Sequence, residues 1–348
     1  AFADYTDIEI AGDNKIYGRR GAWYFYAEVN RPIQKDELLR DVFVLKFSEI
    51  SDGALLLKIG FSKTSSEQAK NNLLAEIADW DFEKVQQHAL NTWHDQLSLI
   101  KIKGATEEEK EIFYTALYHS LLDPNLETDV NEQPRYSQLS PWDTFRSKQP
   151  LVTLLLPSQQ LNMINSVLDR YKETGRLPAG PMTGNHNIAV IVDSYAKGIT
   201  DFDVELAYEA MENALSEPPF IRPDIENYLH YGYVPAEQSY AVTKTLEYAY
   251  NDWAMAEFAR LLRRNDDYEK YAQRALGYQK IFNPATKFMQ AKTKTGDWVE
   301  EGFREGDKWT YSWFVPHDVQ GLINLMGGDQ LFADKLNTCF EQDFYVHD

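Results

Sequence analysis

Residues 106–121 read TEEEKEIFYTALYHSL, and two patterns within them decide the fold of the chain from there to its end. Thr106 with Glu109 three residues later is a capping box, in which the hydroxyl accepts from the third helical N–H and the glutamate reaches back to the N-cap N–H. Behind it Ile112, Phe113, Ala116, Leu117 and Leu121 recur at helical spacing as one apolar stripe. The same patterning runs on down the chain and predicts helices over 144–156, 158–173, 188–198, 204–215, 225–231, 237–263, 267–282, 316–326 and 329–340. Pro316 suits a first helical position and Gly327-Gly328 suits a stop. Helix after helix with no strand between them argues against a parallel α/β sheet and predicts paired helices curled into an (α/α)6 toroid. Their irregular spacing argues against a simple solenoid repeat.

Working upstream, the period changes from 3.6 to 2. Short β-rich runs at 5–10, 22–29, 41–47 and 54–61 are separated by Gly12-Asp13-Asn14, Arg31-Pro32 and Ser51-Asp52-Gly53. They read as strands of a β-sandwich, of which four are fewer than two sheets need, so the remaining strands are expected before Ala1. A short helix over 65–77 and a longer one over 81–97 follow; on the second, His88 and His94 read as interface residues rather than ligands. The expected class is α+β multidomain: a partial β-sandwich over 1–80, a linking helix and connector over 81–103, and a partial (α/α)6 toroid over 104–348.

Composition narrows the function. Of 348 residues, 43% are hydrophobic and 14% aromatic, enough for a sizeable core. Thirty-five Lys and Arg stand against 54 Asp and Glu, and a net charge of −19 repels phosphate backbones and anionic lipid, so nucleic acid is not an expected partner. A single cysteine, Cys339, allows no intrachain disulfide, and without Cys/His clusters zinc is not expected. A hard, oxygen-bound cation such as calcium stays open. No apolar run reaches the length of a membrane span.

The chemistry concentrates in residues 301–321, EGFREGDKWTYSWFVPHDVQG. Buried carboxylates need partners, whereas a solvated loop has no use for Trp309, Tyr311 and Trp313. Carboxylates among flat rings suit a sugar-hydrolysing cleft: the rings stack on the apolar face of a pyranose, and a partly dry carboxyl keeps the proton an acid needs. Polar-aromatic loops of the same character lie at 140–146 (SPWDTFR), 184–187 (GNHN) and 231–235 (YGYVP). In a toroid alternate loops gather at one end, so Trp142, Asp143, Asn185, His186, Glu305 and Trp309 are expected to line one cleft. Singly, Trp142-Asp143 reads equally as a helix start capped by Asp143, and 184–187 as a cap plus turn.

These segments, together with 113–122 (FYTALYHSLL), 192–199 (VDSYAKGI), 229–235 (LHYGYVP) and 243–253 (TKTLEYAYNDW), occur in an order that resembles glycoside hydrolase family 92, the calcium-dependent α-mannosidases. The resemblance implies an N-terminal β-sandwich, a linking helix and an (α/α)6 barrel. It implies hydrolysis of α-mannosides on exported glycans, commonly α-1,2-linked, with inversion, in a periplasmic or secreted setting. It places Glu305 at the general acid, Trp142 and Asp143 at the sugar-contacting pair, His186 in a Gly-x-His loop beside Asn185, and Trp309 and Tyr311 around the acid. In the acid role that the resemblance implies for Glu305, Trp309 and Asp307 would favour its proton, provided the charged ends of Arg304 and Lys308 point away. Three departures stand out: Asp307 replaces a more usual Asn, the segment between Leu177 and Gly184 is short, and the chain stops at Tyr345-Val346-His347-Asp348. The family's Asn-Glu-Pro-Ser-His segment, which helps hold calcium, and its Gly-Asp-rich loop with the base carboxylates are expected beyond Asp348. A glucoside-specific enzyme on the same toroid, or a non-catalytic sugar-binding chain, stays open.

Overall fold

The capping box at Thr106 forms in the computed structural model, which describes residues 5–39, 42–47, 53–137, 140–180, 182–216 and 224–341: Glu109 N–H donates to Thr106 Oγ1 at 3.2 Å and Thr106 N–H donates to Glu109 Oε2 at 2.8 Å. The chain divides into two units, residues 1–137 and 138–348.

In the first unit, strands β1 (Tyr5–Ala11), β2 (Lys15–Arg20), β3 (Trp23–Val29), β4 (Ile33–Leu39), β5 (Val42–Phe47) and β6 (Leu57–Ser62) precede helices α1 (Ser66–Glu76), α2 (Phe82–Leu97) and α3 (Glu107–Leu121). Four strands make an antiparallel sheet in the order β1-β2-β3-β6, and β4 pairs with β5 in a separate hairpin. Helix α1 packs on β3 and β6 through Ala69 and Leu73 against Tyr26. Gly60 permits this approach, because a Cβ there would stand 2.1 Å from Ala69 O. A buried Asp129 fastens the segment after α3 to the sheet and to α1, accepting from Ser62 Oγ at 2.9 Å, Thr64 Oγ1 at 2.8 Å and Asn72 Nδ2 at 2.8 Å. Helix α2 belongs to this unit and meets α3 where Trp93 packs edge-on to Tyr118. His88 and His94 on α2 are exposed.

The second unit holds α4 (Pro141–Thr144), α5 (Lys148–Leu155), α6 (Pro157–Thr174), α7 (Asn187–Ala196), α8 (Val204–Ser216), α9 (Ile225–Tyr231), α10 (Ala241–Leu261), α11 (Asn265–Ala275) and a 3-10 helix, Leu276–Ile281. After these come the short strands β7 (Phe282–Asn283), β8 (Phe288–Met289), β9 (Ala291–Lys292) and β10 (Trp298–Val299), then α12 (Lys308–Tyr311), α13 (Val319–Met326) and α14 (Asp329–Glu341). Helix α10 is the axis of this unit. Most of its 21 residues are buried, polar ones included, as expected of a helix packed on all sides. Its C-terminal half joins Met255 and Phe258 to Ile188, Ile191 and Met211. Its N-terminal half joins Val242 and Leu246 to Tyr278, Ile281, Val315 and Leu322.

Four expectations are corrected. Strands do occur among the helices: β7–β8 and β9–β10 are two-residue antiparallel ladders closed by turns at Asn283-Pro284 and Thr295-Gly296. The helix expected over 144–156 starts earlier and breaks, because Ser147 has a φ of +72° and separates α4 from α5. The helix expected over 267–282 ends at Ala275 and tightens into the 3-10 turn. Pro316 does not open α13; Asp318 does, its Oδ1 accepting from Gly321 N–H at 2.9 Å. Asp41, the turn at Ser51-Asp52 and 345–348 lie outside the described residues.

Candidate active site

Helix α10 carries a buried polar stripe, Thr243, Glu247 and Asn251, at i, i+4 spacing on one face. At its N-terminal end the stripe holds the loop that bears Glu305. The N–H groups of Val242 and Thr243 donate to Gly302 O at 2.9 and 3.3 Å, and Arg304 N–H donates to Thr243 Oγ1 at 3.0 Å. The Tyr311 hydroxyl, whose phenol is pushed up by burial and so stays a donor, closes the loop on Arg304 O at 2.5 Å. Held in this way, Glu305 takes a φ of +51°. That left-handed conformation costs a non-glycine residue about 1–3 kcal/mol, and such strain collects at functional sites.

One turn along α10, Glu247 meets the other two loops. Its Oε1 accepts from Trp142 Nε1–H at 2.7 Å, and its Oε2 lies 2.7 Å from His186 Nε2; both the Glu247 and His186 side chains are 1% exposed. The His186 ring packs on Phe145, 4.3 Å between centroids. Asn251 completes the stripe by accepting from Asn185 N–H at 2.7 Å. Gly184 has a φ of +78°, and a Cβ there would stand 3.1 Å from Asn251 Oδ1 and 3.2 Å from Glu247 Cβ, so only glycine lets the loop lie this close to α10.

Between the loops lies a cavity of about 460 Å³, lined by Trp142, Asp143, Phe145, Arg146, Ser147, Glu247, Glu305, Thr310, Tyr311 and Phe314. It falls in the size range of small-molecule sites, roughly 300–1,000 Å³. Of the residues expected to meet in one cleft, Trp142, Asp143 and Glu305 line it, and Tyr311, expected around Glu305, lines it as well. His186 sits behind the wall, reaching the cavity through Glu247. Asn185 is fully buried, its side-chain amide donating to Leu177 O at 3.1 Å. Trp309 faces elsewhere: it packs edge-on to Phe288 at 4.6 Å, with the Lys335 ammonium 5.2 Å from its ring. The reason is helical phase, since Thr310, Tyr311 and Phe314 take the cavity face.

The electrostatics around Glu305 differ from expectation in the same way. Asp307 caps α12, its Oδ1 accepting from the N–H groups of Trp309 and Thr310 at 2.8 and 3.0 Å. Lys308 points away to Glu300 at 3.1 Å. Arg304 stays at the margin, its Nε 4.0 Å from Glu305 Oε1, and the Glu305 side chain is 66% exposed. The residue missed in the sequence is Glu247. Its signal was the polar stripe Thr243, Glu247, Asn251 inside an otherwise apolar helix. Among the described residues no group of three or more His, Cys, Asp or Glu side chains is arranged to hold a metal ion, so they do not fit a calcium site by themselves.

Residues 68–347 match the glycosyl hydrolase family 92 catalytic domain. The chain belongs to glycosyl hydrolase family 92. Among solved structures of family 92, the inverting mannosidase BT2199 of Bacteroides thetaiotaomicron superposes with a TM-score of 0.88 at 30% identity, covering 95% of this chain and 53% of that one. The α-mannosidase BT3965 of the same organism superposes with a TM-score of 0.87 at 27% identity, covering 97% and 54%, and has also been solved with mannoimidazole bound. A curated relative, described as an uncharacterized secreted glycosidase of Arthroderma benhamiae, is 28% identical over 365 positions, covering 87% of this chain and 44% of its own length. The chain thus spans about half the length of the relatives it matches. The order of a sheet followed by a helical region is the family 92 fold seen in those neighbours.

Proposed function

We propose that the full-length protein hydrolyses terminal α-linked mannose, of the α-1,2 type, with inversion, and that Glu305 protonates the departing glycosidic oxygen. The observation that carries this reading is the Glu305 carboxyl, exposed but pinned through its backbone to α10, beside a cavity walled by Trp142, Tyr311 and Phe314. The rings offer a stacking surface to the apolar face of a pyranose, and Asp143 offers an acceptor to its hydroxyls. A sugar seated there covers the Glu305 carboxyl and shields it from water, which Trp309 does not do.

Inversion needs a second carboxylate about 6.5–9.5 Å from the acid, activating water on the opposite face. The family resemblance assigns it to a Gly-Asp-rich loop that is not among these 348 residues. Calcium belongs to this reading by the same resemblance, through the Asn-Glu-Pro-Ser-His segment. A mannose-containing glycan exported from the cell is the substrate class, and the secreted relative and the abundance of calcium outside the cytosol support a periplasmic or secreted setting. No helix of the described residues is long and apolar enough to cross a membrane.

The test compares release from aryl α-mannoside and aryl α-glucoside by the full-length protein with calcium, and follows the first-formed anomer by NMR. β-Mannose as first product is expected. Release from the glucoside alone, or mannoside binding without turnover, replaces this reading. Within it, Tyr311→Phe keeps the cavity wall and frees the Glu305 loop. The unfolding free energy is expected to fall by about 1 kcal/mol, the net worth of one hydrogen bond, with kcat down roughly tenfold and KM little changed. Steady-state kinetics and denaturant titration check both.

A further inference from the structure

A buried carboxyl is costly to keep, and Glu247 is kept at 1% exposure with no Lys or Arg at ion-pair distance among the described residues. Its two oxygens are divided between two rings: Oε1 accepts from the Trp142 indole N–H, and Oε2 faces His186 Nε2. That second contact is a close approach of 2.7 Å without hydrogen-bond geometry, so the Trp142 indole is the group that Glu247 holds by a hydrogen bond. The indole is held from one edge by that hydrogen bond, and Trp142 lines the cavity. His186, 2.7 Å from the same carboxyl, backs Phe145, the next ring of the wall.

The position of Glu247 on α10 adds to this. Thr243, which ties down the Glu305 loop, and Glu247, which ties down Trp142, are four residues apart on one face. At 1.5 Å of rise per residue they stand about 6 Å apart along a helix that is buried and packed on all sides. The acid loop and the aromatic platform are thus spaced by a single rigid element rather than by contacts with each other.

We propose that Glu247 is a positioning residue: through Trp142 it sets the platform on which the sugar stacks, in register with Glu305. This rests on the sugar-hydrolase reading above. Acting through the platform, Glu247 serves binding rather than proton transfer, so its loss raises KM more than it lowers kcat.

The experiment is a double-mutant cycle between Glu247 and Trp142 in the full-length protein with aryl glycosides. Glu247→Ala is expected to raise KM roughly tenfold, the equivalent of about one hydrogen bond, with kcat changed less than threefold. Trp142→Phe, which loses the indole N–H, gives a similar rise, and the double variant is no worse than the more affected single. Glu247→Gln, which keeps an oxygen for the indole, recovers most of the loss. Equal and additive KM effects in the two single variants, or a fall in kcat with KM unchanged, overturn the proposal. Should Glu247→Ala fail to fold, Trp142→Phe with unchanged KM overturns it alone. If the wild type cleaves aryl α-glucoside and not mannoside, the mannosidase reading has failed while the cycle runs on the glucoside with the same expected result. If it cleaves neither, the dissociation constants of methyl glycosides replace KM.

Discussion

Replacing Glu305 by Gln in the full-length protein is expected to lower hydrolysis of unactivated mannosides by about 10²–10⁴-fold, the usual cost of losing a general acid. The variant is expected to fold and to bind mannosides normally, because the loop is held by the backbone of Gly302 and Arg304 and not by the Glu305 carboxyl. Substrates with good leaving groups, such as dinitrophenyl mannosides, need little protonation and are expected to suffer far less. Kinetics on both substrate types separate the roles: equal losses would make Glu305 a binding or structural residue, with Glu301 and Glu300 the next acids to try. Of these Glu300 is already engaged, accepting from Gln290 Nε2 at 2.8 Å and pairing with Lys308.

The largest effect on stability is expected at Asp252, just past the middle of α10. Its carboxylate is fully buried, with Oδ1 2.7 Å from Arg274 Nη2 and Oδ2 accepting from Arg274 Nε at 3.2 Å and from the Tyr228 hydroxyl at 2.8 Å. The contacts join α9, α10 and α11. Asp252→Ala leaves the Arg274 guanidinium, 16% exposed, without its counter-charge, and removing one member of a buried pair costs about 3–5 kcal/mol. Replacing both partners by apolar residues of similar volume, as in Asp252→Leu with Arg274→Met, is expected to cost far less, since no charge is then stranded. Denaturant midpoints for the two variants, followed by far-ultraviolet circular dichroism, test the difference. A single-variant loss below about 1 kcal/mol would mean that water reaches the guanidinium and the pair behaves like a surface one.

The helices were readable where their punctuation was local. The Thr106 capping box and the Val204 and Ile225 starts fall where the pattern puts them, and α2 starts within one residue of its expected 81. Strands β2 and β4 were missed because their sequences, KIYGRR and IQKDELL, carry a glycine and clustered charges and have no clean alternation. Their pairing is dictated by neighbours rather than by their own composition. The short ladders between 282 and 299 were hidden inside what reads as loop. In the site, Trp142, Asp143 and Glu305 were legible because exposed polar-aromatic loops stand out against apolar helices. Trp309 was misplaced because four-residue spacing from Glu305 says nothing until the phase of α12 is known, and Asp307 sets that phase by capping it. Glu247 stayed hidden because a lone carboxylate in a buried helix acquires meaning only from the two rings that other loops bring to it.

The left-handed backbone at Glu305 bears on any attempt to engineer this protein. Glycine or asparagine would occupy that conformation with less strain, so either substitution relieves the backbone at the position on which the proposed acid chemistry depends. A library screened only for heat resistance is therefore drawn toward replacing the acid, and its most robust members will include inert ones. Selection on this scaffold has to score turnover and survival together, with position 305 held fixed while the rest of the helical unit is varied.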